Sequence, residues 1–162
     1  MSDEPSFNDD FLDLLHVLNE EGVEFLVVGA HALAAHGVVR ASGDLDVLVR
    51  PTRDNALLVV RALRKFGAPL EQHGVGADDF EQEGTVYQLG LPPRRIDLLT
   101  KVSGLTFDEA ATGDQEVGIA GVTFRVPSAE ALLVNKRSSG RDKDLDDVRR
   151  LEAVLRAKKP EG

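Results

Sequence analysis

VEFLVVGAHALAAHGVVRASGDLDVLV, residues 23–49, is the stretch from which the rest of the chain is read. Glu24-Phe25-Leu26-Val27-Val28 is a short apolar run that stops at Gly29, the pattern of a buried strand. AHALAAHG, 30–37, is rich in alanine and closed by glycine, and predicts a short helix packed closely on that strand. Gly43-Asp44-Leu45-Asp46-Val47-Leu48-Val49 predicts a second strand over 44–49. Successive strand side chains alternate faces, so Asp44 and Asp46 point one way while Leu45, Val47 and Val49 point into a core. Two carboxylates on one face repel each other, and a divalent cation relieves the repulsion. An oxygen-only pair suits Mg²⁺ (or Mn²⁺), which binds through one or two carboxylates, water and substrate phosphates. The same Asp-x-Asp also fits two solvent-facing residues at a strand's entrance, so its surroundings must decide.

Upstream, a strand that ends at Gly29 and opens into a helix is a place where backbone N–H groups can meet a phosphate. Gly29 would let the backbone approach closely. Downstream, Arg94-Arg95-Ile96-Asp97-Leu98-Leu99-Thr100 places one acid in an otherwise apolar strand. Asp97 reads either as an internal ion pair with Arg95 or as a third acid joining Asp44 and Asp46. The second holds if its strand pairs beside 44–49. Three convergent carboxylates can hold two metal ions for in-line displacement at phosphorus.

Around this centre the periodicities are those of a mixed α/β (α+β) chain, a sheet flanked by helices. Phe7, Phe11, Leu14, Leu15 and Leu18 form the stripe of an amphipathic helix ended near Gly22. Pro51-Thr52 starts a helix with apolar residues at 56, 57, 59, 60, 63 and 66, ended by Gly67. Residues 68–84 read mostly as loop, 85–89 and 94–100 as two strands, and 101–116 have no clear pattern. Val117–Val126 reads as a hairpin about Ala120-Gly121. Ser128 can cap a helix over 129–136, and Leu145, Val148, Leu151, Val154 and Leu155 mark a final helix. One domain over 1–162 is expected, with a core over 23–126 and a helical segment over 128–157.

Composition narrows the function classes. With 162 residues and 42% hydrophobic content, the chain can enclose a core. It has no cysteine, which excludes disulfides and thiolate metal sites. No apolar run approaches the roughly 20 residues that cross a bilayer, and the acidic start lacks the pattern of a signal peptide. A cytoplasmic protein is expected. The net charge of −9 argues against broad nucleic-acid binding, yet residues 136–159 hold nine Lys/Arg against five acids. That segment reads as a local phosphate contact or as a solvated helix face.

The order of these features resembles the DNA polymerase β-type nucleotidyltransferase superfamily. A strand ending in Gly is followed by a helix, by Asp-x-Asp on the next strand and by a lone Asp on a later one. Residues 23–49 are similar to its minimal members, including toxin–antitoxin nucleotidyltransferases, and PSAEALLVNKRSSGRDKDLDDVRRL, 127–151, extends the likeness. The resemblance implies a nucleotidyltransferase-like fold. It also implies Asp44 and Asp46 as metal ligands, Asp97 completing one metal site and helping to activate an acceptor hydroxyl, and Gly29 at the triphosphate. The family usually has Gly-Ser or Gly-Gly-Ser where this chain has Gly29-Ala30-His31. The missing hydroxyl weakens the expected phosphate grip at Ala30.

Lys136, Arg141 and Lys143 could neutralise a triphosphate or hold an acceptor, or could simply be charges at helix ends. Arg40, Arg94 and Arg95 are further candidates for phosphate or carboxylate. Asp144 and Asp147 read as partners of a helix dipole. His31 and His36 read as packing residues, although His31 could touch phosphate. The expected activity is transfer of a nucleoside monophosphate from an NTP to a hydroxyl of a macromolecular acceptor, RNA or protein. A cognate toxin or antitoxin partner belongs to this expectation. The competing function is a nucleotide-binding or protein-interaction module that has lost turnover, for which Ala30 is the best support. Metal-dependent phosphoester hydrolysis is disfavoured by the lack of a His-rich ligand set.

Overall fold

The computed structural model describes residues 7–40 and 43–158. Lys159, counted in the basic segment, and most of the acidic amino terminus lie outside them.

Helix α1 (Asp9–Glu20) starts at Asn8, whose side chain accepts a hydrogen bond from the Phe11 amide at 3.0 Å. Its buried face is the expected stripe, Phe11, Leu14, Leu15 and Leu18. Strand β1 (Phe25–Val28) runs directly into α2 (Gly29–Ala35), and β2 (Leu45–Val49) follows. Helix α3 (Arg53–Phe66) is capped by the Thr52 hydroxyl and stopped at Gly67, which has φ +97°. Leu57, placed on its apolar face by periodicity, is instead about half exposed, whereas Asn55 is buried. The Asn55 side chain accepts from the Glu24 amide and donates to the carbonyls of Glu24 and Arg50, and so fastens the helix to the entry of β1 and the exit of β2.

Two short helices, α4 (Leu70–His73) and α5 (Ala77–Glu81), occupy the region expected to be loop. One turn is too short to show a period, but each carries a fully buried anchor, Leu70 and Phe80. Strands β3 (Val86–Leu89) and β4 (Ile96–Leu99) follow, then α6 (Phe107–Ala111) inside the segment that had no clear pattern. Thr106 and Glu109 cap α6 reciprocally. Strands β5 (Gln115–Ile119) and β6 (Val122–Val126) form the expected hairpin, with Ala120 and Gly121 both at positive φ. Helix α7 (Ala129–Ser139) is capped by Ser128 as expected, and α8 (Asp144–Lys158) ends the described chain. Of the apolar residues expected to mark α8, Leu151 is fully buried and Leu145 is exposed.

The four-stranded sheet has the order β1-β2-β4-β3, with β2 and β4 parallel and the two outer pairs antiparallel. It is therefore a mixed sheet flanked by helices, the expected fold class. One face, with Val27, Val47 and Leu98, belongs to the large core shared with α1 and α3. The other face carries a small cluster of Leu26, Val28 and Leu48 under α6. Strand alternation and register put Asp46 and Asp97 on this second face, beyond that cluster. Among the described residues, no helix is long and apolar enough to cross a membrane.

Candidate active site

Asp46 and Asp97 are each the second residue of their strands, and the parallel register of β2 and β4 sets them opposite one another. Val28, the last residue of β1, stands opposite Asp46 on the other side. Asp97 is 8% exposed, and its Oδ1 atom is buried without a hydrogen bond. Gly29 follows Val28 at φ +70°. A β-carbon there would lie 2.2 Å from Asp46 Oδ2, so the glycine makes room for the carboxylate as well as for the turn.

Burial, reinforced by the charges of Asp97 and Asp44, pushes the Asp46 carboxyl up to about 7. Burial also raises Asp97, against the pull of Arg95. The two acids at the centre of the site therefore favour their protonated forms more than ordinary aspartates do.

Asp44 differs from the other two. The strand begins at Leu45, so Asp44 lies at its threshold rather than within it. Its Oδ2 meets Arg95 Nη2 at 2.8 Å, and Arg95 Nε stands 3.3 Å from Asp97 Oδ1. The ion-pair alternative for Asp97 and its placement beside Asp46 thus hold together. The three acids do not close into a ready-made cage, because a guanidinium lies between two of them. Among the described residues, no three His, Asp or Glu side chains are grouped to hold a metal ion by themselves. What the site offers is an oxygen-only donor set with one orphaned, buried carboxylate oxygen. That set fits a hard divalent cation whose remaining ligands come from water and phosphate.

A cleft of about 390 Å³ opens beside Asp46. Val28, Gly29 and Asp46 form its sheet side, and Lys101, Lys136 and Arg141 line it with positive charge. Lys136 and Arg141 were candidates from the sequence. Lys101, just beyond β4 and exposed, was missed, as were Ser103, Asn135 and Ser139. The Lys101 signal was present in the sequence, four residues after Asp97, but it lay in a segment without a readable period. A hollow of similar volume, about 400 Å³, lies between α1, β1 and β6, but none of the candidate residues lines it.

Asp144 and Asp147 lie in the first turn of α8, as expected of partners of its dipole, but they do more. Each is 2% exposed, and together they bind the cations of the carboxy-terminal segment. Lys136 Nζ is 3.2 Å from Asp144 Oδ1 and 3.4 Å from Asp147 Oδ2, and Arg141 Nε is 2.9 Å from Asp144 Oδ2. Burial works against ionising Asp144, but hydrogen bonds from Ser139, Arg141 and Lys136 outweigh it and bring the group down to about 2. Arg40 pairs with Asp147 and does not line the cleft. Ala30 does not line it either. Its methyl group packs on Gly43, where a β-carbon would come within 2.5 Å.

His31 is buried edge-on to Phe7 and Phe11, with Nε2 3.2 Å from the Gly43 carbonyl, and burial lowers its pKa. His36 Nε2 meets the Pro127 carbonyl at 2.8 Å. Both are packing residues. Arg94 pairs with Asp10 at the surface. Arg137 and Arg150 are likewise paired with acids, so much of the basic segment is internally compensated.

Residues 7–161 match the model of a family described as nucleotidyl transferase of unknown function (DUF2204). The chain belongs to that family. Its fold is similar to that of a Thermotoga maritima protein named as a nucleotidyltransferase, with a TM-score of 0.54 and 14% identity over 90% of this chain and 89% of the other. A nucleotidyltransferase-like antigenic protein from Paracoccidioides brasiliensis aligns with a TM-score of 0.47 and 16% identity over 93% of this chain and 76% of that one. No curated protein matches the sequence. The Thermotoga likeness supports the fold, and membership of the nucleotidyl transferase family implies a nucleotide substrate.

Proposed function

We propose that this chain is a metal-dependent nucleotidyltransferase of the DNA polymerase β type, moving a nucleoside monophosphate from an NTP to a hydroxyl of a macromolecular acceptor, RNA or protein. The observation that carries the proposal is the opposition of Asp46 and Asp97 beside a cleft lined by Lys101, Lys136 and Arg141. Carboxylates alone would repel a triphosphate, and cations alone would bind it without chemistry. Their adjacency fits in-line transfer.

Asp44, Asp46 and Asp97 would hold Mg²⁺ or Mn²⁺, which when bound supplies charge neutralisation at the α-phosphate and makes the acceptor hydroxyl more acidic. Lys136, held by Asp144 and Asp147, offers its ammonium to the triphosphate from a fixed position. Arg141 and Lys101 add charge to the same cleft, where the leaving pyrophosphate becomes more negative. Gly29 brings the β1–α2 backbone to the cleft wall. The acceptor oxygen attacks the α-phosphorus, the bond to pyrophosphate breaks, and Asp97 receives the hydroxyl proton.

The acceptor would approach over the α7–α8 side, where Lys143, Arg149 and Arg156 are exposed. The place in a toxin–antitoxin pair is part of this reading and rests on the sequence resemblance.

Purified protein incubated with each labelled NTP, Mg²⁺ and cell extract should label an acceptor and release pyrophosphate. Asp44→Asn and Asp46→Asn variants should abolish both. NTP binding without transfer would instead make the chain a nucleotide-binding module.

A further inference from the structure

The geometry points to Arg95 as a resident cation of the carboxylate site, holding Asp44 until a divalent ion takes its place and then remaining on Asp97. This inference rests on the metal-site reading above and deepens it. It concerns how the ion gains access to a site that already contains a positive charge.

Arg95 lies immediately before β4, and its carbonyl accepts a hydrogen bond from the Leu45 amide at 3.0 Å. Its backbone is thereby fixed between the two strands that carry the acids. The side chain is about one-third exposed, so part of it borders solvent and can move. The guanidinium makes two unequal contacts. Nη2 meets Asp44 Oδ2 at a full ion-pair distance of 2.8 Å. Towards Asp97 it stands 3.3 Å from Oδ1 through Nε and 3.5 Å from Oδ2 through Nη2.

The Asp97 contact is poorly directed. Arg95 Nε and Asp97 Oδ1 are both buried without a hydrogen bond, although they face each other. A bidentate arginine–carboxylate pair would satisfy both atoms. The guanidinium is therefore placed to span two acids rather than to satisfy one. An orphaned oxygen on a carboxylate that is nine-tenths buried remains available to another cation.

Asp44 is the ligand that can be handed over. It precedes the strand and is less buried than Asp97, with 25% of its side chain exposed against 11%. Releasing Asp44 breaks an ion pair to the more exposed of the two carboxylates, whereas moving Arg95 away from Asp97 would strip a cation from the more buried one. The cheaper exchange keeps Arg95 on Asp97 and turns Asp44 towards Asp46.

The test is Mn²⁺ binding without nucleotide, followed by electron paramagnetic resonance or calorimetry on the full chain. Arg95→Gln removes the competing charge and should bind Mn²⁺ about tenfold more tightly than wild type, the scale of one lost charge-assisted contact. Arg95→Lys, which keeps the charge, should stay near the wild-type affinity. Equal affinity in wild type and Arg95→Gln, or weaker binding in Arg95→Gln, overturns the role of Arg95 while leaving the metal site standing. No binding by any of these proteins, with or without added NTP, overturns the metal-site reading and this inference with it. A second measurement does not depend on the variants folding. As Mg²⁺ is titrated into wild type, one arginine Nε–H signal in the NMR spectrum should shift with the same midpoint as binding. Arginine signals that stay still through saturation would refute the exchange.

Discussion

Replacing Asp46 by Asn should make the metal-free protein more stable, and most of all at neutral to alkaline pH. Asn has the shape of Asp, so it fits the space that Gly29 leaves for the side chain. What changes is the charge. Asp46 titrates at about 7 in the folded protein against a reference of 3.8, chiefly because it is buried and faces Asp97 and Asp44. A carboxyl raised on folding binds protons more tightly in the native state, so its contribution to stability is full below 3.8 and is lost as pH rises to about 7. The difference of about three units corresponds to roughly 4 kcal/mol as an upper bound. Relaxation and water at a partly exposed group reduce this to about 2 kcal/mol. In a chain of this size that is a rise in Tm of about 4–8 °C. Calorimetry in EDTA at pH 8 and pH 5 measures it: Asp46→Asn should gain the full increment at pH 8 and less than half of it at pH 5. Mg²⁺ should then raise the Tm of wild type and leave the variant unmoved. A variant that melts below wild type at pH 8, or gains equally at both pH values, would show that Asp46 is not held against its own charge.

Gly29→Ala should cost more than 2 kcal/mol, because it combines a positive φ with a β-carbon driven into the Asp46 carboxylate. Thermal melting measures the cost, and a labelled-NTP assay should lose transfer in the same variant. Asp144→Asn should destabilise by about 3 kcal/mol by leaving Lys136 and Arg141 short of a buried counter-charge. The stability that Asp144 contributes is present above 3.8 and lost as pH falls towards 2, so the gap between variant and wild type should shrink in acid melts. Asn55→Ala removes three hydrogen bonds that join α3 to β1 and β2, and urea unfolding should show a loss of about 2–3 kcal/mol with little change in nucleotide affinity.

Local pattern was enough for most of the elements. The stripe of α1, the caps at Thr52 and Ser128, the strand–Gly–helix unit at 25–35 and the hairpin turn at Ala120-Gly121 each depend on neighbours in the chain. The one-turn helices α4 and α5 and the short α6 were not legible, since a period needs more than one turn to declare itself. Leu57 and Leu145 were placed on the apolar stripes of their helices by spacing alone, but both are exposed. In the site, the two acids of the strands and the cations at 136 and 141 were legible. Lys101 and the burial of Asp144 and Asp147 were not, because neither lies in a local pattern that differs from an ordinary surface.

The sequence by itself determined which way each strand residue points, since alternation fixes Asp46 and Asp97 on the face opposite their apolar neighbours. It could not determine that the two acids meet. That depends on β2 and β4 pairing in parallel without a slip of one residue, which is decided by how both strands bury their other face against α1 and α3. Only the tertiary structure placed Arg95 between Asp44 and Asp97 and carried Lys136 to the cleft. The physical reason is range: periodicity reports on residues a few positions apart, whereas charge pairing and burial join residues that only packing brings together.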